Sequence, residues 1–250
     1  PVILGGTYAT LCPDHAGAAS GADVVLAGDG EISLPPVLSD LLGGSVDFAV
    51  DLKNLDSYPY PALDLAARPE SVPLLTSRGC PCRCTYCASA ILNRGFRVRD
   101  PIRVVDEIAH WQRLHGVRDF AFYDDALLVD PDRRAVPMLE EIIRRGLACR
   151  FHCPNGLHLR EMSPQLAALM RRAGFRTIRF GFETASAERQ EATGGKVTTG
   201  ELRQAIAYLR EAGYESRDIG VYLLCGLPGQ EIGEIEQSID LVRKAGARPL

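Results

Sequence analysis

The 250-residue chain is predicted to be an α/β protein: a partial (β/α)6 TIM-like barrel preceded by part of a Rossmann-like domain. Three observations predict it. From residue 72 onward, short apolar runs alternate with helical segments at roughly 30-residue spacing, and such alternation means a parallel sheet, open or closed into a barrel. The helical segments close on glycine, often after basic residues that suit the helix dipole. The residues able to carry chemistry fall just after the apolar runs, at the end where barrel enzymes gather their sites. The expected organisation is residues 1–50 for the Rossmann-like part, 51–70 for a linker and 71–250 for the barrel.

The first segment is small and glycine-rich. Val2-Ile3-Leu4 and Val24-Val25-Leu26 are short strand candidates, each followed by glycine, and Leu34 to Leu42 suits a short helix. Strand, glycine turn and helix in succession suggest part of an open α/β sheet. Pro59, Pro61 and Pro69 lie in a stretch without periodicity, which reads as a linker.

The regular pattern then begins. Val72 to Thr76 is the first strand of the barrel. Asp100-Pro101 opens a helix, with Asp as N-cap and Pro in the first turn, and Gly116 ends it. Phe120 to Tyr123 is a strand, and Asp130-Pro131 starts a helix that Gly146 closes. Ala148 to Cys153 is a strand, followed by a helix from Ser163-Pro164 to Gly174. Thr177 to Gly181 and Ile219 to Leu224 are strands; Thr199 to Ala212 and Glu231 to Ala245 are helices closed by Gly213 and Gly246. That makes five strands, with the sixth expected beyond Leu250. The apolar strand at Pro1 and the lead-in at Ala247 to Leu250 read as the cut ends of a longer protein.

Composition narrows the function classes. Apolar residues make up 46% and charged residues 24%, as in an ordinary soluble globular protein. A net charge of −4 provides no basic field for nucleic acid. No apolar run reaches membrane-spanning length. Four of the eight cysteines crowd between Cys80 and Cys87, unlike a secreted disulfide framework, so a cytoplasmic metal-binding protein is expected.

Cys80, Cys84 and Cys87 follow the first barrel strand with the spacing C-x3-C-x2-C. Three thiolates without a fourth partner suit an iron–sulfur cluster with one open iron. Structural zinc is the alternative, but only Cys84 and Cys87 form a knuckle pair. Cys82, midway in a tight loop, is expected to turn outward.

This loop resembles the signature of the radical S-adenosylmethionine superfamily, and the resemblance extends over residues 72–246. It implies that Cys80, Cys84 and Cys87 hold a 4Fe-4S cluster whose open iron binds S-adenosylmethionine. The implied reaction is reductive cleavage to a 5′-deoxyadenosyl radical, fed by an electron donor such as flavodoxin or ferredoxin. Tyr86 is then expected near the adenine. Asp124, in Tyr123-Asp124-Asp125, matches the family's site for the methionine amino group, although the glycine pair often found there is missing. Glu183 and Ser186, in Gly181-Phe182-Glu183-Thr184-Ala185-Ser186, match a site for the ribose or the ligand amine. Gly226 and Leu227, in Gly226-Leu227-Pro228-Gly229, match a segment against the adenine. Cys149, Cys225 and Cys12 read as small packed residues, and the histidines as surface or capping groups, His152 being the one near a strand end.

Two glycine-rich strings precede the barrel. Gly5, Gly6 and Tyr8 lie in the first; Gly28, Gly30 and Glu31 lie in the second. They resemble the later half of the cobalamin-binding domain found before the barrel in one large subfamily. That resemblance implies cobalamin at these residues and methyl transfer to an unactivated centre of a small-molecule or biosynthetic-intermediate substrate. The family often has His where Tyr8 stands, and no Asp-x-His-x-x-Gly cobalt-ligand motif is present. Cyclisation or rearrangement without methyl transfer, and a zinc-stabilised binding module, are the alternatives.

Overall fold

The computed structural model describes residues 1–47, 50–65 and 69–250. In the first segment, β1 (Ile3–Leu4) pairs in parallel with β2 (Val24–Val25), Ile3 opposite Val24. Between them lie α1 (Thr7–Leu11) and α2 (Pro13–Ala19). α3 follows at Gly30–Leu42, starting before the expected Leu34. The amide and hydroxyl of Ser33 both donate to the Asp29 carbonyl, which adds a turn ahead of Pro35 and Pro36. Among the described residues of this segment only Ala9 and Ala16 are buried. Two two-residue strands cannot enclose a core of their own.

The expected linker carries two single-turn 3-10 helices, Leu55–Ser57 and Leu63–Leu65. Residues 66–68 of it, and residues 48–49 of the expected Rossmann-like part, lie outside the described residues.

The barrel starts with β3 (Ser71–Leu74). An antiparallel clamp of β4 (Ser77–Arg78) and β5 (Arg97–Val98), not anticipated from sequence, encloses the cysteine loop and α4 (Ser89–Leu92). Then come α5 (Pro101–His115), β6 (Asp119–Phe122), α6 (Ala135–Arg144), β7 (Arg150–His152) and α7 (Pro164–Ala173). β8 (Phe175–Glu183), a short α8 (Ala187–Ala192), α9 (Thr199–Glu211), β9 (Ile219–Leu223), α10 (Ile232–Ala245) and β10 (Arg248–Pro249) complete the described chain.

The six main strands pair in parallel in the order β3-β6-β7-β8-β9-β10, so each helical crossover adds the next strand of an open barrel. The sixth strand, expected beyond Leu250, begins within the chain: Arg248 and Pro249 pair with Gly220 and Val221. Caps explain most boundaries. Asp100 accepts from the amides of Ile102 and Arg103, Ser163 from Leu166, and Thr198 forms a capping box with Glu201. α6 starts at Ala135 rather than Pro131, because Arg134 holds the Ala126 and Val129 carbonyls in an irregular turn ahead of it.

The core sits along the inner strands. Phe120, Phe122, Phe151 and Phe175 are fully buried, and Phe122 stacks on Phe175 at 5.5 Å between ring centroids. Burying each such side chain contributes about 1.5–3 kcal/mol.

One carboxylate fastens the functional end of this sheet. Asp124, just after β6, accepts from the Thr76 amide at 2.9 Å, the Thr76 hydroxyl at 2.7 Å and the Ser77 hydroxyl at 2.6 Å. Asp124, Thr76 and Ser77 are all buried. Arg134 donates to the Thr76 hydroxyl from the other side at 3.3 Å. The ends of β3 and β6 are thus tied together where the cysteine loop begins. Replacing Asp124 with Ala leaves three buried donors unpaired, at about 1–3 kcal/mol for each group. The expected outcome is a cooperative urea midpoint that falls far more than for an exposed control; an unchanged midpoint refutes the tie.

The opposite end of β6 carries a pH-dependent pair. The Arg150 guanidinium donates to Asp119, His152 adds a second contact, and together they hold the Asp119 carboxyl down at about 2. In the unfolded chain that carboxyl ionises near its ordinary pKa, about 3.9. The pair's contribution is therefore complete above about pH 4 and fades as pH falls toward 2. Because Arg150 is half exposed, it amounts to less than about 1 kcal/mol. Asp119→Asn is expected to flatten this part of the acid limb in urea titrations run across that pH range.

Candidate active site

The carboxyl ends of five strands border one cavity of about 430 Å3. The loop after β4 contributes Cys80, Cys82, Cys84, Tyr86 and Cys87. Facing it are Asp125 after β6, Asn155 and Gly156 after β7, Glu183 at the end of β8, and Tyr222 in β9. Lys196, between α8 and α9, brings a cation to the same space.

Local backbone chemistry fixes the cysteine loop. Gly79 has φ +85°, and a Cβ there would stand 2.4 Å from the Gly95 carbonyl, so only glycine passes between the β4–β5 clamp and the loop. The Cys87 amide turns back to the Cys84 carbonyl at 3.1 Å, and the Thr85 amide reaches the Thr193 carbonyl at 3.3 Å. Ser89 donates its amide to the Cys87 sulfur at 3.4 Å and its hydroxyl to Asp125 at 2.8 Å. The three thiols of the C-x3-C-x2-C spacing therefore line one cavity wall with a carboxylate opposite.

Glu183 occupies a strained position. Its φ is +72°, rare for a side-chain-bearing residue, and the β8–β9 register shifts there. The kink turns its carboxylate into the cavity beside the Tyr86 phenol. A Cβ on Gly181 would stand 2.8 Å from Glu183 Oε1 and 3.0 Å from Lys196 Nζ, so the missing side chain makes room for this pair.

The cavity disfavours charge on its acids. Burial pushes the Cys80 thiol up to about 11 and raises Cys84 as well. Burial also raises Glu183, opposed by Lys196, and raises the Tyr86 phenol further because Glu183 is close. A cationic ligand would reverse this balance by favouring the thiolate and carboxylate forms.

Several expected site residues lie elsewhere. Asp124 was expected at the ligand, but its oxygens are taken by Thr76 and Ser77, and Asp125 faces the cavity instead. Ser186 caps α8 by accepting from the Arg189 amide. The amides of Gly226 and Leu227 are held by Gln230 Oε1 at 2.8 and 3.2 Å, so that turn closes on itself, and neither residue borders the cavity. Cys82 is not turned outward: it lines the cavity, with its sulfur 3.4 Å from His158 Nε2. Cys225 and Cys12 are exposed rather than packed, whereas Cys149 is buried. His152 is held by Thr177 and Asp119.

Lys196 and Tyr222 carry no signal in the sequence reading, Asp125 is the less favoured member of the expected Asp124-Asp125 pair, and His158 is buried where a surface or capping residue is expected. His158 is 5% exposed, and burial lowers its imidazole to about 4. Its apolar neighbours Leu157 and Leu159 were the available signal, since they place it in a buried run.

A second cavity, of about 440 Å3, lies between the first segment and the barrel. Gly6, Gly28, Gly30 and Glu31 line one side; Ser77, Arg78 and Gly79 line the other. Asp125 borders both cavities. Ion pairs from Arg78 to Glu31 at 2.7 Å and from Arg94 to Asp29 at 3.2 Å cross the junction. Gly5 does not line this cavity, and Tyr8 turns its phenol to His15 Nδ1.

Comparison with known proteins follows the same lines. The chain is 24% identical over 270 residues to an uncharacterised methyltransferase, PH0819, of Pyrococcus horikoshii, covering 97% of this chain and 58% of that protein. It is 31% identical to the anaerobic magnesium-protoporphyrin IX monomethyl ester cyclase of Cereibacter sphaeroides, covering 71% of this chain and 28% of that one. Its fold is similar to that of the cobalamin-dependent S-adenosylmethionine radical enzyme OxsB, solved with aqua-cobalamin and S-adenosylmethionine bound. The TM-score is 0.75 at 16% identity, over 99% of this chain and 40% of that one. The chain thus spans little more than half, or less, of the length of these proteins. The family model of the Radical SAM superfamily matches residues 74–242, and the chain belongs to that superfamily.

Proposed function

We propose that this chain forms the cofactor-binding part of a cobalamin-dependent radical S-adenosylmethionine methyltransferase. One observation carries the reading: the cysteine loop stands between two cavities of similar size that share Asp125. The thiol-lined cavity suits a cluster with S-adenosylmethionine, and the glycine-lined cavity suits a large flat cofactor approached by backbone. Membership in a family of enzymes sets aside the non-catalytic zinc module.

The residues present fit these groups. Cys80, Cys84 and Cys87 would hold the cluster, since all three line the cavity and form no disulfide. Lys196 would meet the carboxylate of S-adenosylmethionine, and Glu183 its amine or ribose hydroxyls. Asp125 replaces Asp124 as the carboxylate offered after the second barrel strand. Tyr86 would limit the adenine end and keep water from it. When bound, the cluster would supply the electron for reductive cleavage to methionine and a 5′-deoxyadenosyl radical, and cobalamin would carry the methyl group. Gly6, Gly28 and Gly30 leave room for the corrin, with Glu31 held by Arg78 at its edge.

A second reading, cyclisation without methyl transfer, is favoured by the likeness to the cyclase of Cereibacter sphaeroides. The electron donor is a small flavodoxin- or ferredoxin-like protein in this proposal. Among the described residues, no helix is long and apolar enough to cross a membrane.

Three outcomes test the reading. Anaerobic reconstitution of the longer protein with iron, sulfide and hydroxocobalamin is expected to yield 5′-deoxyadenosine and a product heavier by one methylene unit; unchanged substrate mass eliminates methyl transfer. Cys80→Ala, Cys84→Ala and Cys87→Ala are each expected to lose the cluster's visible absorption and iron, while Cys82→Ala keeps both. Lys196→Met is expected to weaken S-adenosylmethionine binding about tenfold, roughly 1.4 kcal/mol, with iron content unchanged; equal affinity removes Lys196 from the site.

A further inference from the structure

Cys82 and His158 have no part in the three-cysteine cluster site, yet they are held against it. His158 Nε2 lies 3.4 Å from the Cys82 sulfur and 3.6 Å from the Cys80 sulfur. The three donor atoms all fall within 4.8 Å of one another. Zinc–sulfur bonds of about 2.3 Å and zinc–nitrogen bonds of about 2.0–2.1 Å, at tetrahedral angles, put sulfur and nitrogen about 3.5 Å apart. The observed separations bracket that value. His158 is buried and turns Nε2, not Nδ1, toward the two sulfurs; Nδ1 has no hydrogen-bond partner among the described residues. Cys80 and Cys82 border the 430 Å3 cavity, which leaves a fourth coordination position open to a small molecule.

We infer that Cys80, Cys82 and His158 form a three-ligand site for a thiophilic divalent cation, with zinc the best match. The site rests on the chain being free of cluster, because Cys80 belongs to both sets. Two thiolates and one neutral imidazole balance the charge of the ion, and each thiol releases its proton to solvent on binding. Cation and cluster are then mutually exclusive: the ion holds Cys80 until iron and sulfide displace it, and it slows cluster assembly when in excess. Three protein ligands with one open position differ from structural zinc, which is closed by four protein ligands.

Cobalt(II), added anaerobically to the cluster-free full chain, is the probe. Binding is expected to produce thiolate-to-cobalt charge-transfer absorption with tetrahedral d–d bands, reversed by stoichiometric zinc. Cys82→Ser and His158→Gln are each expected to weaken cobalt binding by at least about tenfold, the loss that removing even an outer-shell partner brings. Cys87→Ser is expected to bind as the natural chain does. Zinc preloading is expected to slow cluster assembly in the natural chain and not in Cys82→Ser. If cobalt binding fails in Cys87→Ser and survives in Cys82→Ser, the ion occupies the cluster thiols and the inference is overturned. Circular dichroism checks the fold of His158→Gln, and Cys82→Ser decides the outcome if that variant is unfolded. Iron and sulfide in reconstituted Cys82→Ser separate the two readings: full loading with no cobalt effect refutes this site alone, whereas no loading in any form refutes the cluster.

Discussion

The carboxylate of Asp124 takes three donors from Thr76 and Ser77, and the functional end of the barrel depends on that contact. It is buried, so water cannot substitute for any of the three. Two neighbouring strands are thereby held in fixed relation where they stop being a sheet. The cysteine loop leaves from Ser77 and Arg78, and Asp125 follows Asp124 directly in the chain. One residue therefore positions the thiols and the acid that faces them.

Around this anchor the structure partly shields ionisable groups from water without pairing them fully. Burial raises Cys80, Cys84, Tyr86 and Glu183. Such an arrangement is unfavourable for anions in the free chain and becomes favourable once cationic groups enter. Glu183 adds backbone strain to the same site. Strain and desolvation persist here because the surrounding parallel sheet, with its aromatic core, over-determines the strand ends.

The barrel was legible because its signals are local. Caps such as Asp100, Ser163 and Thr198, and closing glycines such as Gly116 and Gly174, act within a few residues of themselves. Features set by which partner a group meets, near or far in the chain, were not legible. The β4–β5 clamp needs Arg97 opposite Arg78, and the turn before α6 depends on Arg134 reaching back to carbonyls of its own loop. Ser186 and Gly226 illustrate the same limit inside the site. Each matches a motif by position, yet its polar groups are taken up by Arg189 and Gln230.

By itself the sequence determined that strands alternate with helices and that three cysteines follow the first barrel strand at C-x3-C-x2-C spacing. Both depend on residue type and separation, which the chain carries in one dimension. Tertiary structure alone decided which neighbours face inward: Asp125 rather than Asp124, and Cys82 toward His158 rather than toward solvent. Beyond the strand ends no fixed alternation applies, so the choice turns on which buried donors the neighbouring strand presents, as Thr76 and Ser77 do to Asp124.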